Sequence, residues 1–321
     1  MILVVSYAGE DHTTEVVRRL EAQGREVCLM DLGDFPAQAE LALSWGNGAL
    51  PAYRASTSKG RVDLRRARAG WWRRVRPFEA APCVRSRDRV FAESETSQAV
   101  FGMLDSLACA WVNPRLPDEA AHHKPSQWTV AHQVGLRLPR TLVTNEPQAA
   151  RRFIQEVGVG RTVFKAFLAS TEDWRETRLV LREDLDRLDS VRYAPVIFQE
   201  YVEGVDLRIT IVGEKVFAAA IDARKTSYPV DMRMAVGEAT VNAVTLPSDV
   251  VSGLRRLMDR LGLVYGAIDM RRADDGSHYF LEVNPAGQWL FVENRTGLPI
   301  SQAVADSLAS LEQAQPPGAR G

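Results

Sequence analysis

Between Gly266 and Pro285 two apolar runs, Gly266-Ala267-Ile268-Asp269-Met270-Arg271 and Phe280-Leu281-Glu282-Val283-Asn284-Pro285, flank the pair Asp275-Gly276. An Asp-Gly pair between such runs is the strongest short-range signal for a tight β-hairpin. With Asp275-Gly276 as a two-residue loop, Asp269 lies six positions before it and Glu282 six after it. The two carboxylates then face each other on neighbouring strands. Asn284, two residues beyond Glu282, shares that face by the period of two. Directly opposed acids repel unless a cation lies between them. Two carboxylates and an amide on rigid strands suit a hard ion that keeps part of its water and meets a phosphate, namely Mg2+. A merely solvated acidic face is the competing reading, and it sits badly with Ile268, Phe280, Leu281 and Val283 so close to the acids.

The chain has 321 residues, 45% hydrophobic and 25% charged, enough for a developed core and two or three domains. Forty basic and 41 acidic residues nearly cancel, so bulk charge draws the chain to neither nucleic acid nor membrane. Cys28, Cys83 and Cys109 are widely spaced without a CxxC pair, which fits a reducing cytoplasm and small buried apolar roles. Met1 to Val5 is too short for a signal sequence and reads as a first strand. No apolar run approaches the ~20 residues that span a bilayer. A cytoplasmic, soluble protein is expected.

Ile2 to Ser6, a helix capped by Thr13 or Thr14 and ending at Gly24, and Val27 to Met30 read as a βαβ start. No GxGxxG supports a dinucleotide site. Arg61 to Arg76 is arginine-rich around Trp71-Trp72, either a basic aromatic surface for an acidic partner or a strand and loop with locally paired arginines. Glu93 to Ala110 has helical spacing, and Pro114 and Pro117 mark a boundary. A helical pattern follows His122-His123-Lys124-Pro125. Those histidines lack a third ligand at metal spacing. Thr162 to Phe167 is a strand carrying Lys165 among apolar residues, and such a lysine needs an anion. Pro195 to Val202 is another strand. Leu207 to Val212 and Val216 to Ile221 form a second hairpin, with Asp206 and Arg208 on one face and Asp222 and Arg224 at its far end. Leu254 to Leu261 and Ile300 to Leu311 are helices, and 312–321 reads as a disordered tail. Lysine charge, Mg2+ and an arginine together stabilise a phosphoryl group in transfer. No P-loop or kinase signature is present, so a nucleotide is held another way.

Several stretches carry a family resemblance: Asp34-Phe35-Pro36, Trp72-Arg73-Arg74, Trp111-Val112-Asn113-Pro114, Leu138 to Asn145, Phe198-Gln199-Glu200, Phe217 to Asp222, and Leu281 to Gln288. With Asp206-x-Arg208 and Glu282-x-Asn284, the chain resembles the ATP-grasp ligases. Within them it is similar to the ribosomal-peptide maturases that install side-chain esters or amides, the graspetide synthetases of microviridin type. The resemblance implies an α/β fold with α+β lobes. It places a pre-ATP-grasp α/β domain at 1–115, a central ATP-grasp lobe at 116–198, a C-terminal lobe with the Mg2+ site at 199–311, and the tail after it.

Carried over by that resemblance, Lys124 and Lys165 hold ATP phosphates, and Gln199, Glu200, Tyr201 and Val202 form the adenine-reading hinge. Asp206 holds the ribose hydroxyls. Arg208 stabilises the transferred phosphoryl, and Asp269, Glu282 and Asn284 bind the magnesium, two ions in all. Leu168 to Trp174 lacks the glycines that many phosphate lids of the family carry. The activity implied is ATP-dependent ring closure. Asp or Glu side chains of a precursor peptide become acyl phosphates and are displaced by Thr or Ser hydroxyls or Lys amines. Asp222 is the candidate general base. Arg224, Asp231 and Arg233 are candidate substrate contacts. A leader-bearing precursor and a homodimer are the implied partners, with the arginine-rich stretch or the central lobe as leader groove. An ATP-grasp ligase adding glutamate or a similar amine to a protein or peptide is the alternative. A non-catalytic ATP- or peptide-binding module is the second.

Overall fold

The computed structural model describes residues 1–47, 49–57, 60–167, 177–228, 230 and 237–314. Asp231, Arg233 and the segment Leu168 to Trp174 therefore lie outside the described residues, as does the end of the chain from Gln315.

The chain opens with β1 (Ile2–Val5), α1 (Asp11–Ala22) and β2 (Val27–Met30), and the two strands pair in parallel as the βαβ reading expects. The cap of α1 is Glu10, whose carboxylate accepts from the Thr13 amide at 2.6 Å, and not Thr13 or Thr14. Three antiparallel strands follow, β3 (Leu41–Gly46), β4 (Ala49–Thr57) and β5 (Gly60–Asp63). Then β6 (Ala69–Trp72), the long helix α2 (Ser86–Ser106) and β7 (Ala110–Val112) complete a parallel sheet of order β2-β1-β6-β7. Inner strands of such a sheet are covered on both faces, and β6 is buried throughout. Trp71 and Trp72 are thus core residues, which removes the aromatic half of the proposed basic surface. Its arginines scatter to local acids: Arg65 to Asp63, Arg66 to Glu26 and Arg76 to Asp31.

Helices α3 (Arg115–Ala121) and α4 (Lys124–Gln133) lead into a second unit. It comprises β8 (Thr141–Thr144), α5 (Pro147–Val157), β9 (Thr162–Lys165), β10 (Arg178–Leu179) and β11 (Val196–Glu200), as an antiparallel sheet β10-β9-β11-β8. The last sheet holds β12 (Gly204–Val212), β13 (Lys215–Asp222), β14 (Thr240–Ala243), β15 (Tyr265–Ala273) and β16 (His278–Asn284), in the order β14-β13-β12-β15-β16. Helix α6 (Ser248–Leu261) precedes β15, and α7 (Leu290–Thr296) and α8 (Ile300–Gln313) close the chain. Helix α8 runs past Leu311, so Glu312 and Gln313 are not tail. The Glu312 carboxylate accepts from the Met1 amino group at 2.5 Å. Ile2, Val4, Leu20 and Trp71 share one core with Trp289, Val304 and Leu308, which ties the first sheet to the last helices.

The hairpin β15–β16 departs from its expected turn and keeps its expected pair. The Ala273 amide donates to the Ser277 carbonyl at 2.8 Å, so the loop is Asp274-Asp275-Gly276, three residues long. Gly276 sits at φ 83°, a left-handed conformation that glycine adopts without steric cost. Arg272 pairs with His278 and Met270 with Phe280; a bulge at Leu281 then sets Asp269 opposite Glu282 and Ala267 opposite Asn284. One extra loop residue and one extra strand residue offset each other.

Candidate active site

The β9–β11 sheet and the β12–β15–β16 strands enclose a cleft whose walls include Lys124, Lys165, Asp206, Asp269 and Glu282. Gln199, Glu200, Tyr201 and Val202, the end of β11 and the three residues after it, form another wall. Nine of the predicted site residues thus share one cavity.

Each is held from behind. Lys165 ends β9, and its ammonium donates to Gln199 Oε1 at 2.9 Å, while Gln199 Nε2 donates to Thr141 Oγ1 at 2.8 Å. An amide oxygen accepts from an ammonium without taking up its charge. Lys124 begins α4, and its ammonium is in close contact with Glu282 Oε2. That contact follows from how α4 docks on strand β16. Gln127 Oε1 accepts from the Val283 amide at 2.8 Å, Gln127 Nε2 donates to the Val283 carbonyl at 2.8 Å, and Trp128 Nε1 donates to the Leu281 carbonyl at 2.8 Å. The open edge of β16 is covered by side-chain amides.

Asp206 is buried and accepts from Arg271 Nη1 at 2.9 Å. Arg271 Nη2 donates to the Tyr201 hydroxyl at 2.8 Å, with the guanidinium carbon 4.7 Å from the Tyr201 ring centre. Arg271 was not among the sequence candidates. Its signal was present, since it lies two residues from Asp269 and so on the same strand face.

Arg208 on β12 is the cross-strand partner of Asp269 on β15. Its Nε lies 2.8 Å from Asp269 Oδ1, yet both atoms are buried without an aligned hydrogen bond among the described residues. Arg208 Nη1 donates to the Gln288 carbonyl at 3.3 Å. The two carbonyls before it are also taken by arginines: Gly287 O accepts from Arg73 Nη1 at 3.0 Å, and Ala286 O from Arg74 Nε at 3.4 Å. Gly287 packs so tightly that a Cβ there would lie 2.4 Å from Ala267 Cβ.

The same turn is fixed from the first sheet. Asn113 Oδ1 accepts from the Val264 and Tyr265 amides at 2.8 and 2.7 Å, and its Nδ2 donates to the Pro285 carbonyl at 3.2 Å. His12 Nε2 accepts from the Trp289 amide at 3.1 Å, which leaves Nδ1 to donate to Glu10 Oε1 at 2.9 Å. Burial keeps the His12 pKa below its ordinary value, outweighing the Glu10 hydrogen bond. Burial opposes ionisation of Glu10 too, but His12, Arg73 and the Thr13 amide outweigh it and bring its pKa down to about 2.

The donor set fits Mg2+. Asp269 and Glu282 face each other in register, and the buried Asp269 Oδ1 has no hydrogen bond among the described residues to occupy it. Asn284 stands at the exposed end, its Oδ1 accepting from the Ala286 amide at 2.9 Å with a lone pair to spare. Asp222 and Arg224 do not join the cleft. They pair with each other at 2.6 Å, and the guanidinium brings the Asp222 pKa down to about 2 despite partial burial. A carboxylate held so acidic is a poor base.

Comparison with known proteins places this geometry. Residues 1–118 match the MvdD pre-ATP grasp domain, and residues 121–308 match the RimK-like ATP-grasp domain. Among solved structures, the macrocyclase MdnC bound with precursor peptide MdnA from Microcystis aeruginosa MRC is 31% identical. That match covers 96% of this chain and 99% of that one, at a TM-score of 0.85. A Chryseobacterium gregarium RiPP-associated ATP-grasp ligase, in complex with ADP and a leader and core peptide, is 26% identical over 98% of this chain and 97% of that chain. Its TM-score is 0.87. The ATP-grasp ligase PsnB complexed with minimal precursor is 28% identical over 97% and 99%, at a TM-score of 0.78. No curated protein matched the chain. The ATP-grasp match alone takes in more than half of the sequence, and the protein belongs to the RimK-like ATP-grasp family, an ATP-dependent ligase with an MvdD-type pre-ATP-grasp domain.

Proposed function

We propose that this ligase closes rings in a ribosomally made precursor peptide. The observation that carries the reading is Arg208 set against Asp269 at the end of a cleft lined by Lys124, Lys165 and Glu282. That is a cleft whose walls carry both cations and carboxylate oxygens. Relatives described as a macrocyclase and as peptide-bound ligases support the substrate class.

In this reading Lys124 and Lys165 bind the phosphates of ATP, the Gln199 to Val202 segment meets adenine, and Asp206, steadied by Arg271, meets the ribose. Asp269, Glu282 and Asn284 hold two magnesium ions, which when bound neutralise phosphate charge. An Asp or Glu carboxylate oxygen of the peptide attacks the γ-phosphorus, and the bond to the β–γ bridging oxygen breaks, giving ADP and an acyl phosphate. A Thr or Ser hydroxyl, or a Lys amine, then attacks the acyl carbon; phosphate leaves with the bonding pair, and the nucleophile's proton passes to solvent or to a base. Arg208 is placed to meet the negative charge of both steps. The free thiols of Cys28, Cys83 and Cys109 support a cytoplasmic setting. Among the described residues no helix is long and apolar enough to cross a membrane.

Incubation with ATP, Mg2+ and a Thr-, Asp- and Glu-rich candidate precursor tests the reading by mass spectrometry. Ring closure removes one water per link from a single peptide. A gain in mass on adding free glutamate would instead favour an amino-acid ligase, and ATP binding with no mass change in any acceptor a carrier module.

A further inference from the structure

We propose that Arg74 binds the negatively charged end of the substrate, the carboxylate awaiting activation and the acyl phosphate it becomes. This rests on the ligase reading above and adds to it a contact supplied by the pre-ATP-grasp domain. Arg74, Arg73 and Arg208 hold three successive carbonyls, Ala286, Gly287 and Gln288, so the three guanidiniums border one turn. Two of them have an acid beside them: Arg208 has Asp269 at 2.8 Å and Arg73 has Glu10 at 3.4 Å. Arg74 has none among the described residues, and its one side-chain hydrogen bond is the long 3.4 Å contact to Ala286 O. It is half-buried, so its charge is partly desolvated and still reachable.

The position is what a second substrate needs. Asp269 lines the nucleotide cleft and Arg208 is its cross-strand partner, so a carboxylate that approaches the γ-phosphate on the Arg208 side comes alongside this turn. Along the same turn comes first Arg73, which already has Glu10 beside it, and then Arg74. It follows β6 by two residues, at the carboxyl end of an inner parallel strand, where open parallel sheets bind ligands. A planar guanidinium there matches a carboxylate or a phosphate in two-point contact. Burial pushes the Tyr265 hydroxyl up to about 12, and Arg73, Arg208 and Arg74 oppose that rise while Glu10 adds to it, which sets all three arginines near that hydroxyl. With Glu10 and Asp269 each already beside one arginine, a single added negative charge would balance the group.

The test uses acetyl phosphate as a minimal acyl phosphate and needs no precursor. Wild-type protein, Arg74→Ala and Arg74→Lys are loaded with ADP and Mg2+ and titrated with acetyl phosphate by calorimetry, with ADP affinity measured in parallel. Losing a charge-assisted contact should weaken acetyl phosphate binding to Arg74→Ala by about 10- to 100-fold at unchanged ADP affinity. Arg74→Lys should fall between, keeping the charge and losing the fork. Equal affinity in wild type and Arg74→Ala, including no binding by either, overturns the assignment. So does a parallel loss of ADP affinity in Arg74→Ala, which marks a structural role. Failure of wild type to bind ADP would count against the nucleotide reading instead.

Discussion

Arg208 and Asp269 are direct cross-strand neighbours whose facing atoms, Nε and Oδ1, lie 2.8 Å apart without forming an aligned hydrogen bond. A cation and an anion so placed are close enough to balance and loosely enough joined to turn to other partners, a phosphoryl group for one and a metal for the other. Arg208→Ala should lower kcat for ADP release by about 10²- to 10³-fold, the scale of deleting one oxyanion donor. Arg208→Lys should rescue little, because an ammonium cannot hold the Gln288 carbonyl and a phosphoryl oxygen in one plane. Single-turnover quench-flow checks both, and near wild-type turnover in Arg208→Ala would remove the residue from the reaction.

Lys165 is half-buried, and its ammonium donates to the Gln199 amide oxygen at 2.9 Å. Lys165→Met should therefore fold, and should weaken ATP binding by about 10- to 100-fold through loss of one charge-assisted contact. Calorimetric titration with a non-hydrolysable ATP analogue measures it. Unchanged affinity would move the phosphates elsewhere.

These two residues show what was legible in the sequence and why. The opposed acids were readable because strand alternation survives the actual geometry. The loop has one more residue than an Asp-Gly turn, and the bulge at Leu281 takes up the difference. Asn113 has no assigned role in the sequence, because its partner Tyr265 lies 152 residues away and no local period announces such a contact; for Arg271 the period gives the strand face it shares with Asp269 but not its partner Asp206, 65 residues away. Arg61 to Arg76 misled for a related reason. Runs of like residues look like a patch in one dimension, but a strand, a tight turn and a second strand aim successive side chains at different acids.

Acid should weaken the fold in two stages. His12 has a folded pKa below the ordinary value, so the neutral ring's contribution is complete above about pH 6.5 and is lost as pH falls through the folded value. Glu10 goes from an ordinary 4.5 to about 2, so its contribution is complete above 4.5 and is lost toward pH 2. That loss is on the order of 3 kcal/mol. Urea midpoints between pH 7 and 2.5 should fall less steeply below 4.5 in Glu10→Gln than in wild type. Parallel curves would mean that Glu10 titrates normally.

Asp222 offers a contrast on the pH–rate profile. With its pKa near 2 it has no proton to exchange near neutrality. Asp222→Asn should leave the acid limb of kcat/KM between pH 5 and 9 where it is. A displaced limb would restore Asp222 as a base.

Asn113 is buried at the end of β7 and, besides donating to Asp118 Oδ2, makes four hydrogen bonds to backbone that lies beyond residue 260. Its substitution by Ala should cost about 3 kcal/mol or more, since several buried backbone groups lose their partner together. Thermal melts of the purified variant would read this directly.

The shared core has a consequence for how the molecule comes apart. Val4, Leu20 and Trp71 from the first sheet lie in one apolar cluster with Trp289, Val304 and Leu308 from the last helices. The first hundred residues cannot shed their neighbours without opening that cluster to water. The first sheet and the helices α7 and α8 therefore share one cooperative unit. A chain emerging from the ribosome must hold its opening sheet half-covered until α8 arrives, and a cut between the pre-ATP-grasp and ATP-grasp segments divides a single melting transition, not a linker.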